Sequence, residues 1–205
     1  MPVTINGSGS ISGLSNGSLS ANVLTDSTVT TAKLANGAAS GSKLTMPTGS
    51  VIQTVHALKK DVYNSNHYNN YNEIAGLSVT ITPTSTSSKL LFTTGITWNT
   101  ETGQIFEVKL YDGSSEITAA NSTTGSSSNA WIASYNKNSS DSVLSDNINL
   151  AHGTYLHTIS DTNAHTYKIR VRAGSTTLYL NRRENDGGNG GTSYLTVMEI
   201  AGWVI

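Results

Sequence analysis

The sequence predicts an all-β protein: an extended repetitive N-terminal stalk followed by a C-terminal antiparallel β-sandwich, jelly-roll-like, carried in a homotrimer. Three observations lead there. An aliphatic or alanine residue recurs every five positions from Leu14 to Leu44. From Met46 onward, short alternating runs are separated by turn residues. No segment of ten or more residues carries a helical period.

The five-residue series is Leu14, Leu19, Leu24, Val29, Leu34, Ala39 and Leu44, set among Ser, Thr, Asn, Gly and Ala, with charges only at Asp26, Lys33 and Lys43. That period matches neither a helix nor a strand. One apolar side chain in five does not offset the entropy of ordering the other four in a single chain. More copies of the segment supply the missing apolar surface. A right-handed pentapeptide β-helix is the alternative, but solenoids need several stacked coils and this series is too short to build them. Three chains winding together, with the pentad residues on the axis, is the better account. Lys-Leu at 33–34 and again at 43–44 allows two pentads as the unit. Ile5 and Ile11, among Gly and Ser, read as a separate anchoring tip. Residues 1–45 are therefore the attachment segment and stalk, and residues 46–205 the head.

In the head, strands are expected at 50–57, 77–82, 89–98, 105–111, 130–136, 155–159, 166–173, 177–180 and 194–202. The clearest alternation sets Tyr167, Ile169, Val171 and Ala173 on one face against Lys168, Arg170 and Arg172 on the other, a half-buried strand with a wet outer side. In 89–98, Leu90, Phe92, Ile96 and Trp98 share a face, with Thr93 and Thr97 opposite. The last strand is apolar on both faces: Leu195 and Val197 on one, Tyr194, Met198 and Ile200 on the other. It is either central in its sheet or packed on a neighbouring subunit. Asp112-Gly113, Ala173-Gly174 and the Gly-rich run from Asn185 to Gly191 are turn or loop signals. Many short strands without helix-length connections imply an antiparallel sandwich, the jelly roll first among them.

Composition narrows function. Charged residues make up 12% and hydrophobic residues 36% of the chain, both low for a globular protein. A formal net charge of −1 gives no drive toward nucleic acid or an anionic membrane, and is too small for simple disorder. Without cysteine there is no disulfide framework and no thiolate metal site. The opening Met-Pro-Val-Thr-Ile-Asn-Gly lacks the basic and apolar regions of a secretory signal, and no apolar run reaches the roughly 18 residues of a membrane span. A stalked protein of this kind suits assembly in a bacterial cytoplasm and release by lysis.

Asp61 to Glu73 is the best interaction candidate. Tyr63, Tyr68 and Tyr71 alternate with Asn around His67, a mixture of rigid amphipathic rings and adaptable amides like that of antibody paratopes. Tyrosine rings stack on sugars and amides read hydroxyls. The alternative is that the tyrosines fold back over the sandwich end. Arg182 and Arg183, which suit an acidic sugar, are weaker candidates, as are Trp131 and Tyr135. His56, His67, His152, His157 and His165 form no His-Glu-x-x-His or His-x-His pair. They read as surface or strand-end histidines, one such as His56 on a three-fold axis being the metal alternative. The one Gly-x-Ser-x-Gly, Gly13-Leu-Ser-Asn-Gly17, lies in the low-complexity segment with no helical period after it, so it gives no support for an esterase elbow, and a carboxylate pair among scattered acids is a chance event. No catalytic residue, cofactor or metal is expected.

Four segments resemble the fibre and appendage proteins of tailed bacteriophages. They are Leu24-Thr-Asp-Ser-Thr-Val-Thr-Thr-Ala-Lys-Leu34-Ala-Asn-Gly-Ala, Met46-Pro-Thr-Gly-Ser-Val-Ile-Gln-Thr-Val55, Leu77-Ser-Val-Thr-Ile-Thr-Pro-Thr-Ser-Thr-Ser-Ser-Lys-Leu-Leu91 and Ser193-Tyr-Leu-Thr-Val-Met-Glu-Ile-Ala-Gly202. The resemblance implies a non-enzymatic virion protein, a homotrimer with a β-sandwich head on a thin stalk. Its N-terminus would join a capsid, tail or adaptor protein; contact of the head with host-surface polysaccharide is expected from the Tyr/Asn segment and not from the resemblance. The chain departs from long tail fibres in being short, so a head-attached fibre, a decoration or a tail-tip knob stays open. Two other classes stand beside it: an architectural capsid decoration or cement protein without a receptor, and, more remotely, a polysaccharide hydrolase.

Leu24→Asp or Leu34→Asp places a charge on the stalk axis without a partner. Either variant is expected to lose the ordered stalk while keeping the head, as read by limited proteolysis of the full-length chain.

Overall fold

The computed structural model describes residues 4–5, 11–12, 46–68, 70–100, 104–124, 129–135, 148–174, 177–183 and 190–202. The pentad series from Leu14 to Leu44 and most of the Asn185–Gly191 run lie outside the described residues. The chain divides into two units, Met1–Thr45 and Met46–Ile205. In the first, β1 (Thr4–Ile5) pairs antiparallel with β2 (Ile11–Ser12), setting Ile5 opposite Ile11.

The second unit is built from β3 (Val51–Lys59), β4 (Tyr63–Ser65), β5 (Asn72–Ile81), β6 (Lys89–Thr100), β7 (Ile105–Asp112) and β8 (Ser115–Glu116). A 3-10 turn at Thr118–Ala120 follows, then β9 (Ile132–Tyr135), β10 (Asn149–Thr158), β11 (His165–Ala173), β12 (Leu178–Leu180) and β13 (Ser193–Ile200). No α-helix occurs among the described residues. All the strand ladders are antiparallel. One sheet runs β10–β6–β13–β3, with β12 and β4 extending it past the end of β13. The other runs β5–β11–β7, with β9 and β8 both on the far side of β7. Eight strands ordered β3, β13, β6, β10 and β5, β11, β7, β9 are the two interleaved Greek keys of a jelly roll.

Period-2 patterning fills the space between the sheets. Leu90, Phe92, Ile96 and Trp98 of β6 are fully buried, as are Phe106, Val108 and Leu110 of β7 and Ile169 and Val171 of β11. Trp98 stacks on Phe106 at 4.6 Å between ring centroids, and Phe92 meets Tyr167 edge-on at 4.8 Å, the geometries aromatic quadrupoles prefer. β13 lies between β3 and β6, the central position that its two apolar faces allowed. Inside, Leu195 and Val197 are fully buried; outside, Tyr194, Met198 and Ile200 are half-buried.

Three strand expectations need correction. β5 begins at Asn72 rather than Leu77, because the register on β11 jumps from Lys168↔Ser78 to Arg170↔Glu73. The extra residues form a bulge around Gly76, at φ 89°, and the bulge turns both Ile74 and Leu77 inward although their spacing breaks alternation. β10 begins at Asn149 rather than Tyr155. Its outward positions carry Leu150 and Leu156, so no polar-outside alternation announces it. β4 falls inside the Tyr/Asn segment expected to be a loop, where β12 supplies its ladder partner.

The two ends of the first sheet's inner seam are tied by Asn181, buried and left-handed at φ 59°, a region asparagine tolerates better than most residues. Its Nδ2 donates to the carbonyls of Lys59 and Asp61 at 3.0 and 2.9 Å, and its Oδ1 accepts from the Ser193 hydroxyl at 2.7 Å. Asn181→Ala orphans these buried groups, each costing about 1–3 kcal/mol. Alanine also lacks the short polar side chain that lets asparagine visit the left-handed region, which otherwise costs an L-residue about 1–2 kcal/mol. A loss of roughly 3 kcal/mol is expected in urea denaturation with unchanged slope.

Candidate functional site

The Tyr/Asn segment is built from the top of the first sheet outward. β12 pairs β4 through Leu178↔Ser65, Tyr179↔Asn64 and Leu180↔Tyr63, and this fixes which side chains turn inward. Tyr63 is half-buried against the core. His67 is wholly buried, its Nδ1 3.2 Å from the Val171 carbonyl and its Nε2 2.9 Å from the Tyr63 hydroxyl. A carbonyl only accepts, so Nδ1 carries the proton and Nε2 accepts from Tyr63. Burial lowers the His67 pKa, with the Val171 carbonyl opposing it. Tyr71 donates its hydroxyl to Glu107 at 2.8 Å, and the Lys109 ammonium sits 4.5 Å from its ring centroid.

The expectation of a solvent-accessible loop is thus corrected for Tyr63, His67 and Tyr71, whose rings or hydroxyls are used by the fold. Tyr68 is 51% exposed, held by a backbone bridge to Ala173 and by an Asx turn in which its N–H donates to Asn66 Oδ1 at 2.9 Å. Asn64, Asn66, Asn70 and Asn72 are exposed around it. The β12–β4 pairing brings Arg182 and Arg183 to the Tyr63 end of this surface. Arg182 packs 5.4 Å over the Tyr179 ring and its Nε donates to the Arg183 carbonyl at 2.8 Å. Trp131 packs against the core and Tyr135 is exposed on β9.

Two further arrangements were not legible in the sequence. The outer face of the β5–β11–β7 sheet is a charge lattice: Arg172 with Glu107 at 2.7 Å, Lys168 with Glu73 at 3.0 Å and Lys109 with Glu116 at 2.8 Å. Beside it, Lys109, Glu116, Thr118, Asn121, Ser122, Thr123 and Asn129 line an open cleft of about 390 Å³. Asn121 Nδ2 donates to Glu116 Oε1 at 2.5 Å. Burial raises the Glu116 pKa, but the bonds from Lys109 and Asn121 outweigh it and hold the carboxylate below its ordinary value. An ionised carboxylate among hydroxyls and amides suits hydrogen bonding to polar ligands rather than proton donation near neutral pH. The β7–β8 hairpin and the turn after it bring these residues together, and no motif marks them.

The second arrangement is His165, whose Nδ1 and Nε2 lie 2.6 and 2.9 Å from carboxylate oxygens of Asp112 and Asp161. Asp161 first and then Asp112 raise its pKa against partial burial. His56 is exposed on β3, its Nδ1 2.8 Å from the Thr196 hydroxyl and its ring stacked on Tyr194. Among the described residues no group of three or more His, Cys, Asp or Glu could hold a metal ion.

No family model matches the chain. No curated protein matches it either. Among solved structures, it is similar to the VP2 subviral particle of infectious bursal disease virus, at 10% identity and a TM-score of 0.35, over 75% of this chain and 39% of that one. It is also similar to a structure of infectious bursal disease virus strain Gx, at 12% identity and a TM-score of 0.33, over 75% of this chain and 43% of that one. The chain spans about two fifths of the length of these structures. At such scores the likeness carries no argument about function.

The histidines set opposite pH dependences. His165 has a folded pKa above its unfolded value of about 6.5, so its contribution is complete below that value and is lost as pH rises through the folded pKa. His67 has a folded pKa below its unfolded value, so its contribution is complete above about 6.5 and is lost as pH falls toward the folded pKa. In urea titrations from pH 5 to 8, His165→Gln is expected to flatten the alkaline side of the stability profile. His67→Gln flattens the acid side.

Proposed function

We propose that this chain is a non-enzymatic structural protein of a virion, a short homotrimeric fibre or appendage of a tailed phage assembled in the host cytoplasm. The observation that carries this reading is the joining of a five-residue apolar period to a jelly-roll head. The first needs additional copies to become ordered, and the second is a β-sandwich that follows it in the sequence. The N-terminal segment is the attachment and extension element, meeting another virion protein. Extended at about 3.3 Å per residue, residues 14–44 reach at most about 100 Å.

The head is proposed to contact host-surface glycans around Tyr68, where an exposed ring stands among exposed asparagine amides, with Arg182 and Arg183 past the other end of the short β4 strand. Fold alone does not give this function; the surface chemistry supports it. A single weak site per chain becomes effective when three act together. The architectural reading, a decoration protein without a receptor, is favoured by a specific observation: Tyr63, His67 and Tyr71 are committed to the fold.

One set of measurements separates these readings. The full-length chain is expected to sediment as a trimer at micromolar concentration; a monomer overturns the fibre reading. Truncating a recognition anchor costs about 2 kcal/mol or more, so particles carrying Tyr68→Ala are expected to adsorb to host cells at least about tenfold more slowly, with unchanged circular dichroism. Unchanged adsorption by folded Tyr68→Ala particles establishes the decoration reading instead.

A further inference from the structure

We propose that the outer face of the β10–β6–β13–β3 sheet is the surface through which the heads of neighbouring copies of this chain pack on one another; this rests on the homotrimer reading above. The register defines the face. One row across it is Leu156, Leu91, Met198 and Thr54; the row two residues along each strand is Thr154, Thr93, Thr196 and His56. Apolar side chains stand outward at both edges. On β10, Leu150 is 67% and Leu156 54% exposed, and on β3 Val51 at the start of the strand is 49% and Leu58 near its end 44% exposed. Between them the half-buried Tyr194 ring lies over Gly95, where a Cβ would come within 2.6 Å of it, so the centre of the face is smooth.

The outward positions of these four strands carry one formal charge, Lys89, whose amino group donates to the Thr158 hydroxyl at 2.9 Å. No carboxylate points outward from them. The opposite outer face, across the sandwich, holds Glu73, Glu107, Lys109, Lys168, Arg170 and Arg172. A leucine, threonine and histidine surface whose single fixed charge, Lys89, sits at the end of its strand is close to neutral and can pack on itself without opposing like charges, whereas a highly charged partner would leave its own charges unmatched on it.

Ring symmetry adds a second requirement. A three-fold contact is heterologous, joining two different patches of the same chain. This face has them, with the β10 leucines at one edge and Val51 and Leu58 at the other. The pentad series ends at Leu44, and β3 starts at Val51. Joining three stalks therefore holds three heads at an effective concentration in the millimolar range, at which a modest apolar face stays closed.

The chain has no cysteine, so one introduced thiol reports burial cleanly. Leu156→Cys and, as reference, Tyr135→Cys, 55% exposed on the opposite side, are made in the full-length chain. Their alkylation rates by a maleimide are then compared under native conditions. The expected result is labelling of Leu156→Cys at least about tenfold slower than Tyr135→Cys in a chain that sediments as a trimer, with equal rates in urea. Equal native rates in a sedimenting trimer overturn this inference and leave the homotrimer reading standing. A monomer with equal rates overturns both. Rapid labelling of the isolated trimer that becomes slow only in assembled particles assigns the face to a different virion protein and also overturns the inference.

Discussion

The constraint on which the head depends is the backbone of β6. Twelve residues long and central in its sheet, it has nowhere to find water for its N–H and C=O groups, so protein must satisfy them all. β10 serves one side along almost the whole length. The other side is shared: β13 covers Lys89 to Gly95 and β12 covers Trp98 to Thr100. At the gap the Thr97 N–H donates to the Ser193 hydroxyl at 3.1 Å, and the Thr97 carbonyl accepts from the Asn181 N–H at 2.9 Å. The Thr97 hydroxyl in turn donates to the Thr192 carbonyl at 2.9 Å. Through the Asn181 side chain the same patch reaches the end of β3 and the approach to β4. Short side chains thus replace a strand where no strand runs.

How much of this was legible from residues alone varies with the physics involved. β11 and β6 were, because one face is core and the other is wet, and period 2 records that directly. For β13 the two apolar faces left two readings open, a central strand or one packed on a neighbouring subunit, and the ladders on β3 and β6 establish the first. β5 was truncated in the sequence reading because its bulge sets Ile74 and Leu77 on the same face at a spacing that alternation forbids. β10 was truncated because Leu150 and Leu156 interrupt its otherwise polar outward face.

The interaction surface was read with less success, and the reason lies in the chemistry of tyrosine. A paratope and an internal latch ask for the same group, an apolar ring with a polar tip. Tyr68 is the one that faces water, while Tyr63 and Tyr71 spend their hydroxyls on His67 and Glu107. Partners distant in sequence decide between them, β12 for the strand that carries Tyr63 and Glu107 of β7 for Tyr71. The Lys109–Glu116–Asn121 cleft was invisible for a related reason: its residues carry ordinary surface chemistry and gain meaning from a hairpin.

The pairing of β3 with β13 has a consequence for how the molecule is made. Val51 to Lys59 find their ladder partners at Ser193 to Ile200, so the first strand of the head stays unpaired until nearly the whole head has been translated. Topologies dominated by such distant partners fold slowly, because chain closure must precede any reward from contact. During that interval the growing chain carries an open edge with Val51, Val55 and Leu58 on it, the kind of strand that captures a neighbour's by mistake. The low-complexity segment ahead of it, with about one apolar residue in five, gives that edge few local partners on the ribosome. Correct pairing is then left to the last strand to arrive.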